Sequence, residues 1–269
     1  ALSEEESFAK ELLEKFMQII DERDPHIICG YNTDRFDFLK LNERAQKYGL
    51  KLILSRDGTP VTFRRRGRIS SARIRGRVHI DLYDFVEHIL SQTLTSEILT
   101  LDRVAKEILG IGKKAPLKWK EIEEIWKTKK GIERLVEYCR WDSELTIKLA
   151  YHLLPQIFEL CRIVGQIPFD VSRMTYSQLV EWYLSKRAFA MNRIIPNQPK
   201  YEEIQRRRMR KPYTGGFVIE PEEGVHENIA VLDFKSLYPT IIATHNISPE
   251  TLNCKCCKGE KVPGLEHHF

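Results

Sequence analysis

The sequence predicts an α/β (α+β) fold, and two observations carry that prediction. Short apolar runs, HIIC (26–29) and RVHIDLYDF (77–85), are interleaved with segments whose apolar residues recur every three to four positions. Hydrophobic content of 42% and charged content of 30% supply a real core and a solvated surface. At 269 residues, the chain is long enough for one large domain or two ordinary ones.

Each element has a local reason. Ser3 and Glu6 make a capping-box pair, and Phe8, Leu12, Phe16, Ile19 and Ile20 follow at helical spacing until Asp24-Pro25 stops the helix. HIIC is a short buried strand, Gly30-Tyr31 turns the chain, and a helix runs from about Asp34 to Tyr48. KLILSRDGTPVTF reads as strand, Asp57-Gly58 turn and strand. RVHIDLYDF is another strand leading into a helix. From about Ser96 to Leu154 the pattern is mostly helical, broken at Gly112-Lys113-Lys114-Ala115-Pro116. Pro155 begins a new region, residues 156–195 mix helix and loop, and IIPNQPK (194–200) reads as a linker or domain edge. Strands are expected around Gly215-Gly216-Phe217-Val218-Ile219 and over Ile229-Ala230-Val231-Leu232.

No segment approaches the roughly 20 apolar residues of a membrane span, and the N-terminus lacks a signal peptide's apolar run. The opening ALSEEESFAKELLEKF has no methionine and turns helical at once, which suggests a piece of a longer chain. Net charge is only +5, but residues 63–77 carry Arg64, Arg65, Arg66, Arg68, Arg73, Arg75 and Arg77 with no acid among them. Seven like charges repel, and a polyanion relieves that, so this run points to nucleic acid more than to a solvated face. QRRRMRKPY (205–213) repeats the theme. Cys29, Cys139 and Cys161 stand singly among apolar residues, as buried thiols of a reducing compartment do.

Carboxylates carry the chemistry. Asp233 ends the apolar run 229–232, where an unpaired carboxylate is costly, so it lies at a sheet rim or is neutralised by a cation. Mg²⁺ suits one or two carboxylates plus substrate phosphates, and the turn Phe234-Lys235-Ser236-Leu237-Tyr238-Pro239 offers backbone N–H groups to a triphosphate. NTDRFD (32–37) places Asn32 just after a strand and Asp37 on the first turns of a helix. YCRWD (138–142) puts Tyr138 and Asp142 on one helical face, although Glu144 and Lys148 nearby also fit Asp142 as an ordinary surface acid. A metal-dependent nuclease gathers several acids around two cations, with a tyrosine to orient water or phosphate.

In this order the motifs resemble those of family B DNA polymerases, archaeal in flavour, over nearly the whole chain. NTDRFD resembles the second exonuclease motif, YCRWD the third, YTGGFV (213–218) the Tyr-x-Gly-Gly segment, and DFKSLYPTII polymerase motif A. The resemblance implies a ribonuclease H-like 3′→5′ exonuclease domain, lacking its first strands, over 1–155. It implies a helical connection over 156–212 and the start of a palm, with a cysteine-rich insertion, over 213–269. Asp37 and Asp142 would be editing-site metal ligands, Tyr138 would position the water, and Asn32 would support that site. Asp233 would bind Mg²⁺ with the carbonyl of Phe234. Ser236 and Leu237 would hold the triphosphate, and Tyr238 would exclude a 2′-hydroxyl. Tyr213, Gly215 and Gly216 would touch template or primer backbone, and Arg64, Arg65, Arg66 and Arg68 fall in the hairpin that divides DNA between the two sites.

The resemblance further implies primer–template DNA, deoxynucleoside triphosphates and a sliding clamp as partners, in a cytoplasmic, nucleoid-associated setting. The family's Asp-x-Glu strand and Asp-Thr-Asp motif are absent from the 269 residues, so this chain alone would be inactive, with the remaining segments in the same or separate chains. His79-Ile80-Asp81 follows the second motif instead of preceding it, which makes Asp81 structural. Cys254, Cys256 and Cys257, with His267 and His268, are soft ligands that suit Zn²⁺, against a disulfide or free thiols. A stand-alone exonuclease and a non-catalytic DNA-binding subunit are the competing readings.

Overall fold

A computed structural model describes residues 4–66, 69–112, 117–195, 197–209, 215–248 and 251. Arg68, Tyr213 and the cysteine cluster at 254–257 lie outside the described residues. The chain divides into two compact units, Ala1–Gln198 and Pro199–Phe269, with the division inside IIPNQPK.

In the first unit, α1 (Glu4–Arg23) leads to β1 (Ile27–Gly30) and α2 (Asp37–Lys47). The strands β2 (Thr62–Arg66) and β3 (Ile69–Arg73) pair antiparallel, and β4 (Val78–Asp81) pairs parallel with β1, Gly30 opposite Asp81. A short α3 (Leu82–Phe85) runs straight into a π-helical turn at Val86–Leu90. Then come α4 (Leu101–Leu109), α5 (Trp119–Thr128), the long α6 (Ile132–Val164), α7 (Pro168–Val171) and α8 (Tyr176–Ala190). Ile80, Leu82, Phe85 and Val86 pack with Val104 and with Leu149, Leu153 and Ile157 of α6 in one core cluster. Leu13, Phe38, Ala45, Leu52, Leu54, Ala72 and Ile74 form a second.

Pro155 does not begin a new region: α6 continues through it to Val164. The proline removes one N–H, but Pro155 and Tyr151 lie on an exposed face of the helix, where solvent rather than the core meets the interrupted turn. Buried Leu153 and Ile157 hold the opposite face in the core. The expected hairpin over KLILSRDGTPVTF shrinks to one bridge, Ile53 opposite Pro60. Proline cannot donate to a ladder, and Ser55 and Asp57 bond within the turn to Thr59 instead. The true hairpin is one element later, in the arginine-rich segment. Cys139 is exposed rather than buried, because its position on α6 faces away from the core.

The second unit holds α9 (Tyr201–Arg208) and α10 (Leu237–Thr244). Among the described residues, the strands expected at 215–219 and 229–232 do not form: neither segment pairs with a strand, and Phe217, Val231 and Leu232 are at least nine-tenths exposed. A strand needs a neighbour for its N–H and C=O groups, and the described residues of this unit supply none.

Candidate active site

The site lies at the carboxyl ends of the parallel pair β1–β4, where open α/β sheets commonly bind ligands. The chain leaves β1 at Gly30 in a turn so tight that a Cβ there would sit 2.1 Å from Cγ2 of Thr33. Asn32 takes a left-handed conformation, φ 66°, and Phe38 N–H donates to the Thr33 carbonyl as the turn winds into α2. Asp37 is therefore the first residue of that helix.

A cavity of about 710 Å³ opens at this end. Asn32, Thr33 and Asp37 line it from the turn, and Asp142, Ser143 and Thr146 line it from α6. Tyr31, Tyr83, Ile98, Leu99 and Ile147 make its apolar side. Two carboxylates far apart in sequence thus share one cavity, and no lysine, arginine or histidine is among its lining residues. Burial pushes the Asp37 carboxyl up, as expected for a carboxylate with too little solvent. Asp142 is half-buried, and Lys148 is engaged by Glu144 at 2.9 Å, so the surface-acid reading fits Glu144 instead. Tyr138, half-buried, is one turn earlier on α6 and does not line the cavity.

Behind the cavity lies a network the sequence did not reveal. Asp34, Asp81 and Asp84 bring carboxylate oxygens within 4.8 Å of one another, all buried. Both oxygens of Asp34 and of Asp81, and one of Asp84, already have partners. Asp34 accepts from Arg173 Nε at 2.7 Å and from Ala72 N–H at 2.8 Å. Asp81 accepts from the N–H groups of Asn32, Asp34 and Tyr83 at 2.7, 2.9 and 3.0 Å. Asp84 pairs with Arg35 at 2.7 Å, and Arg35 also stacks over Tyr83 and reaches Glu87. This trio is held by arginines and backbone amides. Only proximity in space identifies it, since Arg173 is 139 residues from Asp34.

The arginine run is less uniform than its sequence. Arg77 is buried against Asp24, Arg75 pairs with Asp57 at 3.3 Å, and Arg73 lies over Phe169. Compensating acids are therefore supplied from elsewhere in the chain. Arg64 and Arg65 remain exposed on β2, which Arg66 ends. In α9, Arg206 and Arg207 both pair with Glu203.

In the second unit, Asp233 and Phe234 are exposed at the end of the unpaired stretch, not at a strand end. Ser236 caps α10 in a left-handed conformation, φ 51°, Leu237 is its first residue and Tyr238 is 80% exposed. Gly215 and Gly216 stand in open space, where a Cβ meets nothing.

Models of the family B DNA polymerase exonuclease domain and of DNA polymerase family B match residues 5–97 and 170–266, and the chain belongs to this family. Among particular relatives, it is 42% identical to a DNA polymerase of Pyrococcus glycovorans and 40% identical to one of Thermococcus gorgonarius, each over 98% of this chain and 33% of the relative. The solved family B DNA polymerase of the hyperthermophilic archaeon Pyrobaculum calidifontis superposes with a TM-score of 0.68 at 30% identity, over 89% of this chain and 30% of that one. The chain thus spans about a third of the length of these relatives. Among the described residues, no helix is long and apolar enough to cross a membrane.

Proposed function

We propose that this chain is the central segment of a DNA-directed DNA polymerase with a 3′→5′ proofreading exonuclease, and that the cavity between α2 and α6 is its editing site. The observation that carries this reading is the convergence of Asp37, Asp142 and Asn32 on one cavity whose lining residues include no cationic side chain. The donor set fits a hard divalent cation: carboxylate oxygens, one of them with its charge disfavoured by burial, and no competing base. Asp37 and Asp142 would hold Mg²⁺, and the ion supplies an activated water and charge neutralisation for phosphodiester hydrolysis. Asn32 would orient the terminal phosphodiester by hydrogen bonding, and Tyr138, on the adjoining turn, would reach the water only with movement toward the cavity. Two carboxylates are too few for two ions, so further acids from the rest of the polymerase complete the site. The ribonuclease H-like layout belongs to the same proposal.

In the second unit, Asp233 and the carbonyl of Phe234 would hold Mg²⁺ for nucleotidyl transfer. The N–H groups at the start of α10, from Ser236 and Leu237, would receive the triphosphate, and Tyr238 would exclude ribose. Arg64, Arg65 and Arg66, with Tyr213, Gly215 and Gly216, would follow the DNA backbone. A sliding clamp and an intracellular, nucleoid-associated setting belong to the same reading, and so does Zn²⁺ at Cys254, Cys256 and Cys257.

Mn²⁺ is the direct probe of the editing site. Its paramagnetism should broaden the NMR signals of Asn32, Asp37 and Asp142, and Asp142→Ala should abolish that effect together with 3′-end digestion by the full polypeptide. Broadening centred elsewhere, or digestion unchanged in Asp142→Ala, would remove the cavity from the mechanism.

A further inference from the structure

We propose that Asp81 is a positioning residue of the cavity, fixing the turn that carries Asn32 and leads to Asp37 against the segment that carries Tyr83. Asp81 is wholly buried and does not itself line the cavity. Its Oδ1 accepts from the backbone N–H of Asn32 at 2.7 Å and of Tyr83 at 3.0 Å, and its Oδ2 from that of Asp34 at 2.9 Å. Those donors belong to two separate loops, one leaving β1 and one opening α3. Both Asn32 and Tyr83 face the cavity, on its polar and apolar sides respectively.

The arrangement is specific to a carboxylate. Asn32 sits at φ 66°, a left-handed conformation that asparagine adopts more readily than most non-glycine residues, and in it the N–H points at the Asp81 carboxylate. No backbone acceptor meets its N–H there, and a side chain from the neighbouring strand serves instead. Because Gly30 and Asp81 are register partners, the carboxylate lies beside the first residue of the turn. Asparagine at 81 would keep one acceptor oxygen and turn an NH₂ toward the N–H of Asp34, whereas alanine would keep neither acceptor. Partners that hydrogen-bond a metal ligand directly typically alter affinity by about 10- to 100-fold when removed. Asp81 acts one step further out, through the turn, so its effect belongs at the lower end of that range.

The inference rests on the proposed editing site, and Mn²⁺ binding by the full chain separates the two. Asp81→Asn should weaken Mn²⁺ binding at Asp37 and Asp142 by about tenfold, and Asp81→Ala further, within that range. Amide exchange at Asn32 and Asp34 should accelerate in both. Arg77→Leu is the control: its buried guanidinium lies at the opposite end of the β1–β4 pair, so it destabilises the fold without touching the turn. If Arg77→Leu weakened Mn²⁺ as much as a stability-matched Asp81 variant, or if Asp81→Ala bound Mn²⁺ like the wild type, the positioning role would be lost and the editing site would stand. Wild-type protein that showed no Mn²⁺ effect at Asp37 and Asp142 would overturn both.

Discussion

Arg173 donates through Nε to Oδ2 of Asp34 at 2.7 Å, with the two side chains 1% and 0% exposed. The same guanidinium donates to the carbonyls of His79 at 3.1 Å and Phe169 at 2.8 Å, and so binds the segment after α6 to β4 and to the site turn. Desolvating such a pair offsets most of its Coulomb gain, but removing one partner strands a buried charge. Arg173→Leu and Asp34→Ala should therefore each lose about 3–5 kcal/mol, read from urea unfolding midpoints. A loss below about 1 kcal/mol in either would mean that water reaches the pair in solution.

Two neighbours of that pair contribute opposing trends to the pH dependence of stability. Burial pushes the His79 imidazole down from 6.5 to about 4, so between those values the unfolded chain takes up a proton that the folded one refuses. Acidification through that window costs stability. Burial raises Asp81 from 3.8 to about 6, so there the folded chain holds the proton more tightly and acidification favours folding. The two trends oppose each other in the wild type. Asp81→Asn removes only the second, and its stability should fall more steeply than the wild type's between pH 6.5 and 4.

Gly30 tests the turn itself. A methyl group there collides with Cγ2 of Thr33, so Gly30→Ala should cost about 1–3 kcal/mol. Thr33→Ser removes that methyl and retains the hydroxyl that meets His79 Nε2 at 2.9 Å. The double variant should recover part of the loss, and simple additivity of the two changes would refute the clash.

The exposed pair Arg64 and Arg65 should act on DNA through charge alone. Replacing both with alanine should reduce the slope of log affinity against log salt by about 2 for duplex DNA, with no change in sequence preference. Arg77→Leu should leave the slope unchanged, since that guanidinium is buried.

Within the full polypeptide, Asp233→Ala should abolish primer extension and preserve magnesium-dependent 3′-end digestion. Loss of both activities with an intact fold would show that the two carboxylate sites are not separate.

The sequence by itself determined whatever rests on local pattern or ordered motifs. The helices at α1, α2 and α6, the β1 and β4 strands and the spacing of Asp37, Asp142 and Asp233 are of this kind, because periodicity and turn residues act over a few positions. Tertiary structure alone decided that Asp37 and Asp142 share a cavity, that Arg173 reaches Asp34, and that Arg73, Arg75 and Arg77 of the basic run meet Phe169, Asp57 and Asp24. It also decided that Pro155 is harmless on a solvent-facing side of α6 and that 229–232 pairs with no strand among the described residues. Such outcomes depend on which surfaces meet in space, and burial, ion pairing and strand pairing are each set by a partner remote in the chain.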